Sequence, residues 1–394
     1  RDRVTASHNP KEYNGYKAYW TDGSQVTAPH DRNIIAEVEK ITSIDQILTG
    51  ANPGNITLLG EEFDEIYLNK VHTLSLSPES VGKFHDMKIA YTPLHGAGVR
   101  LVPASLRKWG FTNVSLVEEQ AVIDGNFPNV ESPNPEERKT MAKAIELGSR
   151  LGADLVLATD PDSDRIGVAL RNAKGEYVLL NGNQTLSLIM AYQLTRWSEL
   201  GRLDGKEFVV KTIVTSQMPN VMAAHFGVKC YDCLTGFKYI ARIIRNNEGK
   251  ATYIGGGEES FGYLAGDFVR DKDAVSACSL VAEAAAWTRD TMGLTLYEWL
   301  QKLYVEFGFF REGLVSVVRK GMEGAAEIQR MMVDYRADPP REIAGSPVVK
   351  INDFKLLEST DVRTGAKTPI EEEASNVLQW FAADGTVVSV RPSG

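Results

Sequence analysis

The sequence is poor in cysteine. Its 394 residues hold three, too few and too sparse for a disulfide scaffold, and such usage fits a reducing compartment. It lacks any apolar run long enough to span a bilayer, and no signal-peptide pattern opens it. A cytoplasmic location without a membrane partner is therefore expected. Basic runs are absent as well. Asp and Glu outnumber Lys and Arg by 52 to 43 and the net charge is −9, so a nucleic-acid partner has no electrostatic footing. A small anionic ligand is not excluded, because local Arg, Lys, metal or backbone N–H groups bind anions whatever the overall charge. Low-complexity segments are also missing. What is present is a 43% hydrophobic content, enough for the cores of roughly two to four domains.

Strand and helix patterns alternate through most of the chain, which favours α/β domains with parallel pairing and right-handed crossovers. Residues 32–47 carry apolar positions at helical spacing. Residues 87–93 read as a strand, the LHGAG turn follows, and the next helix ends at Gly110. After a strand in FTNVSLV, the run ESPNPEE carries a helix-start signal: Asn134 can cap, Pro135 suits the first turn, and Glu137 lies three residues on. That helix is expected to reach Gly152. ADLVLATD then reads as a strand buried on both faces. A second α/β block runs through EFVVKTIVTS, VKCYDCL and ATYIGGG to a long helix beginning near Ala274. From about residue 315 the texture changes to strand-like pieces and one helix, a smaller α+β domain.

Four stretches carry chemical potential. In TASHNP, Asn9-Pro10 stops regular structure and leaves Ser7 presented on a loop beside His8, whose charge can change near neutral pH. In ATDPDSDR, Asp160, Asp162 and Asp164 alternate at a strand end. Three carboxylates so close repel unless a cation sits among them, and all-oxygen ligands favour Mg²⁺ or Ca²⁺. An EF-hand is excluded, because its sixth and twelfth positions would be Arg165 and Arg171. The plain alternative is a solvated acidic turn. In GGGEESFG, the glycines permit close ligand approach, and Glu258 and Ser260 can hydrogen-bond hydroxyls. In VRPSG, an Arg, a Ser and a Gly suit a phosphate clamp. Arg270 and Lys272 are further anion contacts or simply solvated charges. The Cys230–Cys233 pair reads as a strand end rather than a redox or metal site, and His95 as a turn that packs strand on helix.

The motifs TASHNP, DPDSDR, GEESFG and RPSG, in that order over nearly the whole chain, closely resemble the α-D-phosphohexomutase superfamily. The resemblance implies three related α/β mixed-sheet domains and a smaller C-terminal α+β domain around a central cleft. The boundaries are expected at 1–75, 76–200, 201–314 and 315–394. The front of the first domain and the residues after RPSG are expected to lie outside this sequence. It implies that Ser7 is a phosphoserine and that Asp160, Asp162 and Asp164 hold Mg²⁺ with a phosphoserine oxygen. Arg165 would lie beside that phosphate, and His8 and Lys17 would assist proton transfer. Thr235, Gly236, Glu258 and Ser260 would line the sugar site. Arg391, Ser393 and Gly394 would grip the substrate's non-reacting phosphate. GEESFG followed by an Arg-x-Lys-Asp segment looks more like phosphoglucomutases, which makes Lys272 a substrate-phosphate contact. The implied substrate is a hexose phosphate, with a hexose 1,6-bisphosphate as intermediate and activator. Phosphomannomutase or dual activity is the alternative, and a metal-dependent sugar phosphatase or a non-catalytic sugar-phosphate binder stands further off.

Overall fold

The computed structural model describes residues 2–47, 50, 54, 57–319 and 321–392. The chain divides into two compact units, Arg1–Phe310 and Arg311–Gly394.

The first unit opens with an antiparallel pair, β1 (Asp2–Val4) and β2 (Tyr16–Ala18), joined by the loop that carries Ser7. Then come α1 (His30–Val38), α2 (Glu61–His72) and α3 (Pro78–Lys83). The helical spacing over 32–47 yields two shorter pieces. Helix α1 ends at Val38, and a single 3₁₀ turn, Ile44–Gln46, is capped by Ser43. Ser43 takes a hydrogen bond from the Asp45 N–H, so the residue that would sit inside one long helix instead starts a new turn.

The first larger sheet comprises β3 (Ile89–Thr92), β4 (Val114–Leu116), β5 (Leu155–Thr159), β6 (Ile166–Arg171) and β7 (Tyr177–Leu179). Helix α4 (Gly98–Trp109) follows β3, and α5 (Ala142–Leu151) precedes β5. Both helices end on a left-handed glycine, Gly110 and Gly152, as the sequence suggests. The strand order is β4-β3-β5-β6-β7. The first three strands are parallel and the last two antiparallel, so the sheet is mixed. The helix expected from Asn134 begins only at Ala142. Asn134 does accept a hydrogen bond from the Glu136 N–H at 3.1 Å, but buried Pro133 and Pro135 hold residues 132–140 in successive turns.

Helix α6 (Gly182–Glu199) leads to the second sheet. There β8 (Glu207–Thr212), α7 (Met218–His225), β9 (Lys229–Cys233), α8 (Phe237–Asn247), β10 (Thr252–Gly257) and β11 (Tyr263–Ala265) give the order β11-β10-β8-β9. Strands β9, β8 and β10 are parallel and β11 antiparallel. This repeats the topology of the first sheet, in which each αβ unit closes with a hairpin: β5 turns into β6, and β10 into β11. Helices α9 (Ala274–Met292) and α10 (Leu296–Phe307) complete the unit. Helix α9 is buried from Ala274 to Thr288, as an all-round apolar helix must be. It shares one core with residues of both sheets, including Leu157, Val168, Val209 and Ile254. Its single buried acid, Glu283, accepts the Ser75 hydroxyl at 2.5 Å, the Leu76 N–H at 2.9 Å, the Ser77 N–H at 3.1 Å and the Tyr192 hydroxyl at 2.8 Å, so each carboxylate oxygen has two donors where desolvation is complete.

Among its described residues, the second unit contains α11 (Gly321–Ala337) and six strands: β12 (Glu342–Ile343), β13 (Ser346–Asp353), β14 (Glu358–Asp361), β15 (Lys367–Pro369), β16 (Leu378–Ala382) and β17 (Val387–Val390). All pairings are antiparallel, in the order β15-β14-β13-β16-β17 with β12 on β13. Met332 of α11 packs with Val348, Leu378 and Trp380, the α+β arrangement that the sequence texture indicates.

One contact positions the Asp-rich loop on the first sheet. A Cβ at Gly96 would lie 2.3 Å from Pro161 Cα and 2.5 Å from its carbonyl oxygen, so the LHGAG turn and the loop after β5 touch backbone to backbone. The Ala97 N–H donates to the Pro161 carbonyl at 2.8 Å. Gly96→Ala should therefore lower stability by about 1–3 kcal/mol through overpacking, read as a lower urea midpoint. An unchanged midpoint would refute the close approach.

Candidate active site

Three hairpin loops converge in the first unit, and each carries one of the sequence motifs. The β1–β2 loop holds Ser7 at a positive φ of 53°, which a non-glycine residue adopts at a cost. Thr5 Oγ1 accepts the Ser7 N–H at 2.8 Å and the Ala6 carbonyl accepts the Asn9 N–H at 3.0 Å. The six-residue β5–β6 loop carries Asp160, Asp162 and Asp164, and Ser163 in it also has a positive φ, 58°. The β10–β11 loop carries Glu258 and Ser260 and is closed by the Glu258 N–H to the Gly262 carbonyl at 2.9 Å. The last two loops dock directly. Arg165 and Gly262 form a β-bridge, and the Ile166 N–H donates to the Phe261 carbonyl at 3.0 Å.

Ser7 Oγ lies 3.3 Å from Asp160 Oδ2 and 3.3 Å from Asp162 Oδ1, and 3.2 Å from His8 Nδ1. One carboxylate oxygen from each of Asp160, Asp162 and Asp164 falls within 4.8 Å of the others. Asp160 and Asp164 are buried and Asp162 is half-buried. The backbone helps to hold Asp160, whose Oδ1 accepts the N–H groups of Asp164 at 3.0 Å and Arg165 at 2.9 Å. Cations ring the other two. Arg3 lies 2.7 Å from Asp162. Lys17 on β2 lies 3.7 Å from Asp162 and 3.5 Å from Asp164, and Lys272 lies 3.4 Å from Asp164. Asp164 Oδ1 is buried without a hydrogen-bond partner. An all-oxygen donor set with one orphaned carboxylate oxygen suits a hard divalent cation such as Mg²⁺, so the residues fit the metal that the resemblance implies.

The titration behaviour follows from this packing. Burial, then the charges of Asp164 and Asp162, push the Asp160 carboxyl well above its usual range. Burial works the same way at Asp164, but Lys272, Lys17 and Arg165 together outweigh it and hold that carboxyl low. Burial would lower the Lys272 ammonium, yet Asp164 and Glu258 reverse the sign and hold it high. Burial raises the Glu258 carboxyl, opposed by Lys272. Lys272 thus stands between the acidic loop and the hydroxyl-binding candidate Glu258. It fits only because residue 262 is glycine: a Cβ there would lie 2.1 Å from Lys272 Cδ. The His8 imidazole is pulled down to about 4 by burial and by the Arg165 charge, so it is neutral at physiological pH.

The remaining candidates fall as follows. The Gly236 N–H, at the start of α8, donates to Glu258 Oε1 at 2.7 Å, and the neighbouring Thr235 Oγ1 is buried without a partner. Ser260 is half-buried on the same loop as Glu258. Arg391 follows β17 in the second unit, exposed, while Ser393 and Gly394 lie outside the described residues. Arg270 is mostly buried and pairs with Asp22 at 3.6 Å and Glu248 at 3.0 Å. Cys230 and Cys233 lie on β9, and burial pushes the Cys230 thiol up to about 12, the opposite of an activated thiolate. His95 is buried with Nδ1 2.9 Å from the Val122 carbonyl. Sequence reasoning passes over Arg3 and Thr5, which touch Asp162, and Glu136, which pairs with Arg165. Arg3 lies on β1, two residues before TASHNP, and Thr5 is the first residue of that motif; no local pattern marks either as a partner of Asp162.

Comparison with known proteins agrees with this layout. Residues 3–45, 65–175 and 181–307 match the phosphoglucomutase/phosphomannomutase α/β/α domains I, II and III, in that order. Phosphoglucomutase of Staphylococcus aureus strain MRSA252 is 33% identical over 395 residues, covering 99% of this chain and 70% of the relative. The protein of the same name from strain N315 is 34% identical with the same coverage. Two solved structures share the fold. One is a phosphoglucomutase/phosphomannomutase family protein from Burkholderia thailandensis, with TM-score 0.62 at 17% identity over 98% of this chain and 70% of that one. The other is the open form of parafusin, a phosphoglucomutase from Paramecium, with TM-score 0.63 at 16% identity over 100% and 70%.

The burial of His8 is directly measurable. By proton NMR, its ring signals in the unphosphorylated protein should titrate with a midpoint near 4, well below the usual value of about 6.5. A midpoint at or above 6 would show that the serine loop does not hold His8 beside Arg165.

Proposed function

The chain belongs to the phosphoglucomutase/phosphomannomutase family of the α-D-phosphohexomutase superfamily, and on that premise we propose that it interconverts α-D-glucose 1-phosphate and glucose 6-phosphate through a phosphorylated Ser7. The observation that carries the reading is Ser7 Oγ held 3.3 Å from each of two carboxylates of the acidic triad on a strained loop.

In the proposed reaction, the Oγ–phosphorus bond of phosphoserine 7 breaks as a sugar hydroxyl oxygen bonds to the same phosphorus. This gives a hexose 1,6-bisphosphate. The intermediate turns over within the site, and its other phosphate returns to Ser7 by the reverse step. Asp160, Asp162 and Asp164, with a phosphoserine oxygen, would hold Mg²⁺, which when bound neutralises phosphoryl charge. Ser7 fixes the donor phosphorus on a loop that cannot relax easily. Arg165 contributes positive charge beside it. His8 and Lys17 are proposed to assist removal of the attacking hydroxyl's proton and its return in the second half-reaction. Glu258 and Ser260 receive sugar hydroxyls in either orientation, beside Thr235 and Gly236. Lys272 and, in the second unit, Arg391 are proposed as contacts for the phosphate that is not reacting, together with Ser393 and Gly394. The loop reads Ser260-Phe261-Gly262, where a mannose-type loop has Ser-Gly-His, and the absence of that histidine supports the glucose assignment.

The test is a mutase assay of the full-length protein with Mg²⁺ and a trace of glucose 1,6-bisphosphate, supplied separately with glucose 1-phosphate and mannose 1-phosphate. Each hexose 6-phosphate and free phosphate are followed. Glucose should be preferred, and Ser7→Ala should lower turnover by on the order of 10³-fold or more. Chelation of the metal should abolish turnover and re-addition of Mg²⁺ restore it. Equal rates on both sugars would make the enzyme dual-specific, and release of free phosphate alone would replace the mutase with a phosphatase.

A further inference from the structure

The ESPNPEE run does not start a helix, and what it does instead is to brace an arginine. Pro133 and Pro135 are buried, and Pro135 packs against β6 at Gly167, where a Cβ would come within 2.9 Å of Pro135 Cβ. Thr140 Oγ1 donates to the Ser132 carbonyl at 2.8 Å, and the Asn134 carbonyl accepts the Glu137 N–H at 3.1 Å. The turn so fixed presents Glu136, whose Oε1 pairs with Nη1 of Arg165. Both side chains are mostly buried, with 22% and 13% exposed. The backbone of Arg165 is fixed from two other sides, by Asp160 Oδ1 at 2.9 Å and by the bridge to Gly262. Its Nε is buried without a partner, so the guanidinium keeps a donor in hand after pairing with Glu136.

Asp164 and Glu258 also feel the Arg165 charge and compete with Glu136 for it, and Lys272 repels it. Without a fixed carboxylate behind it, the guanidinium would turn toward those two acids, one of them in the triad, and lose the orientation that phosphoryl transfer needs. On the mutase reading above, we propose that Glu136 is a positioning residue that holds the Arg165 guanidinium for the phosphoryl group, acting on catalysis only through Arg165.

The experiment is a double-mutant cycle in the full-length protein with Glu136→Gln, Glu136→Asp and Arg165→Ala. Glu136→Gln keeps the shape and removes the charge. Its kcat should fall on the order of tenfold or more with KM changed less than threefold. Glu136→Asp keeps the charge on a shorter arm and should recover part of the loss; it serves as the folding control should the Gln variant prove unstable. In the Arg165→Ala background, Glu136→Gln should change kcat no further. An undiminished kcat in Glu136→Gln, or a full additional loss in the Arg165→Ala background, overturns the proposal. If the wild-type protein isomerises no hexose phosphate, the functional reading fails, and nitrogen-detected NMR of the Arg165 guanidinium decides this point separately. Resolved Nη signals that average in Glu136→Gln uphold the brace, and signals unaffected by the substitution overturn it.

Discussion

Three carboxylates within 4.8 Å of one another are the constraint to which the rest of the first unit answers. Each pair repels, and two of the three are buried, where repulsion is least screened. The fold meets this with charges drawn from separate parts of the chain. Arg3 and Lys17 come from the N-terminal hairpin, Arg165 from the loop itself, and Lys272 from the segment before α9. Backbone N–H groups of Asp164 and Arg165 take up one oxygen of Asp160. Compensation remains partial. Asp160 is still driven toward its protonated form, and Asp164 Oδ1 has no partner. A site left one cation short in this way is poised for a divalent ion rather than for its own internal neutrality.

Hairpin loops carry the serine, acidic and Glu258 motifs of the site, with the start of α8 holding Glu258. A hairpin tip can approach another hairpin tip closely, since its backbone is exposed on both sides. The five-stranded and four-stranded sheets of the first unit share one arrangement of three parallel strands followed by an antiparallel hairpin partner, and the hairpins β5–β6 and β10–β11 meet through Arg165 and Gly262. Glycine sets the spacing at two points. Gly96 lets the LHGAG turn touch Pro161, and Gly262 leaves the volume that Lys272 occupies. Behind the tips, buried α9 ties both sheets to one core, with Glu283 satisfying the chain as it enters α3. The tips are thus held by a rigid base although the loops themselves carry positive-φ residues at Ser7, Ser163 and Phe261.

Much of this is legible in the sequence because the relevant signals are local. A strand buried on both faces reads as an apolar run, which places Asp160 at a strand end. Left-handed glycines mark the ends of α4 and α5. The acidic alternation reports its own electrostatic problem. What stays hidden depends on distant partners. ESPNPEE satisfies the local rules for a helix start, and those rules fail because Pro133 and Pro135 find burial and Glu136 finds Arg165, 29 residues away. The antiparallel placement of β6 and β7 is similarly invisible, since alternating strand and helix speak for parallel pairing and nothing local announces a hairpin. Arg3 looks like an ordinary charge until the β1–β2 hairpin carries it to Asp162.

Lys272 brings these strands of argument to one atom. Its ammonium is almost fully enclosed, 3.4 Å from Asp164, and it also feels the charge of Glu258. Burial alone would strip the proton from such a lysine. It stays charged because the acidic triad and the β10–β11 loop each supply a carboxylate. The acidic loop and the sugar-loop candidate are therefore not independent. Neutralising either carboxylate loosens the cation shared by both, and filling Gly262 would push it away from both at once. The proposed reaction, which must hold a sugar phosphate in two orientations, would need its phosphoryl-transfer groups and its sugar-holding groups to stay in register. A single buried cation between them couples the two through electrostatics alone, with no moving part.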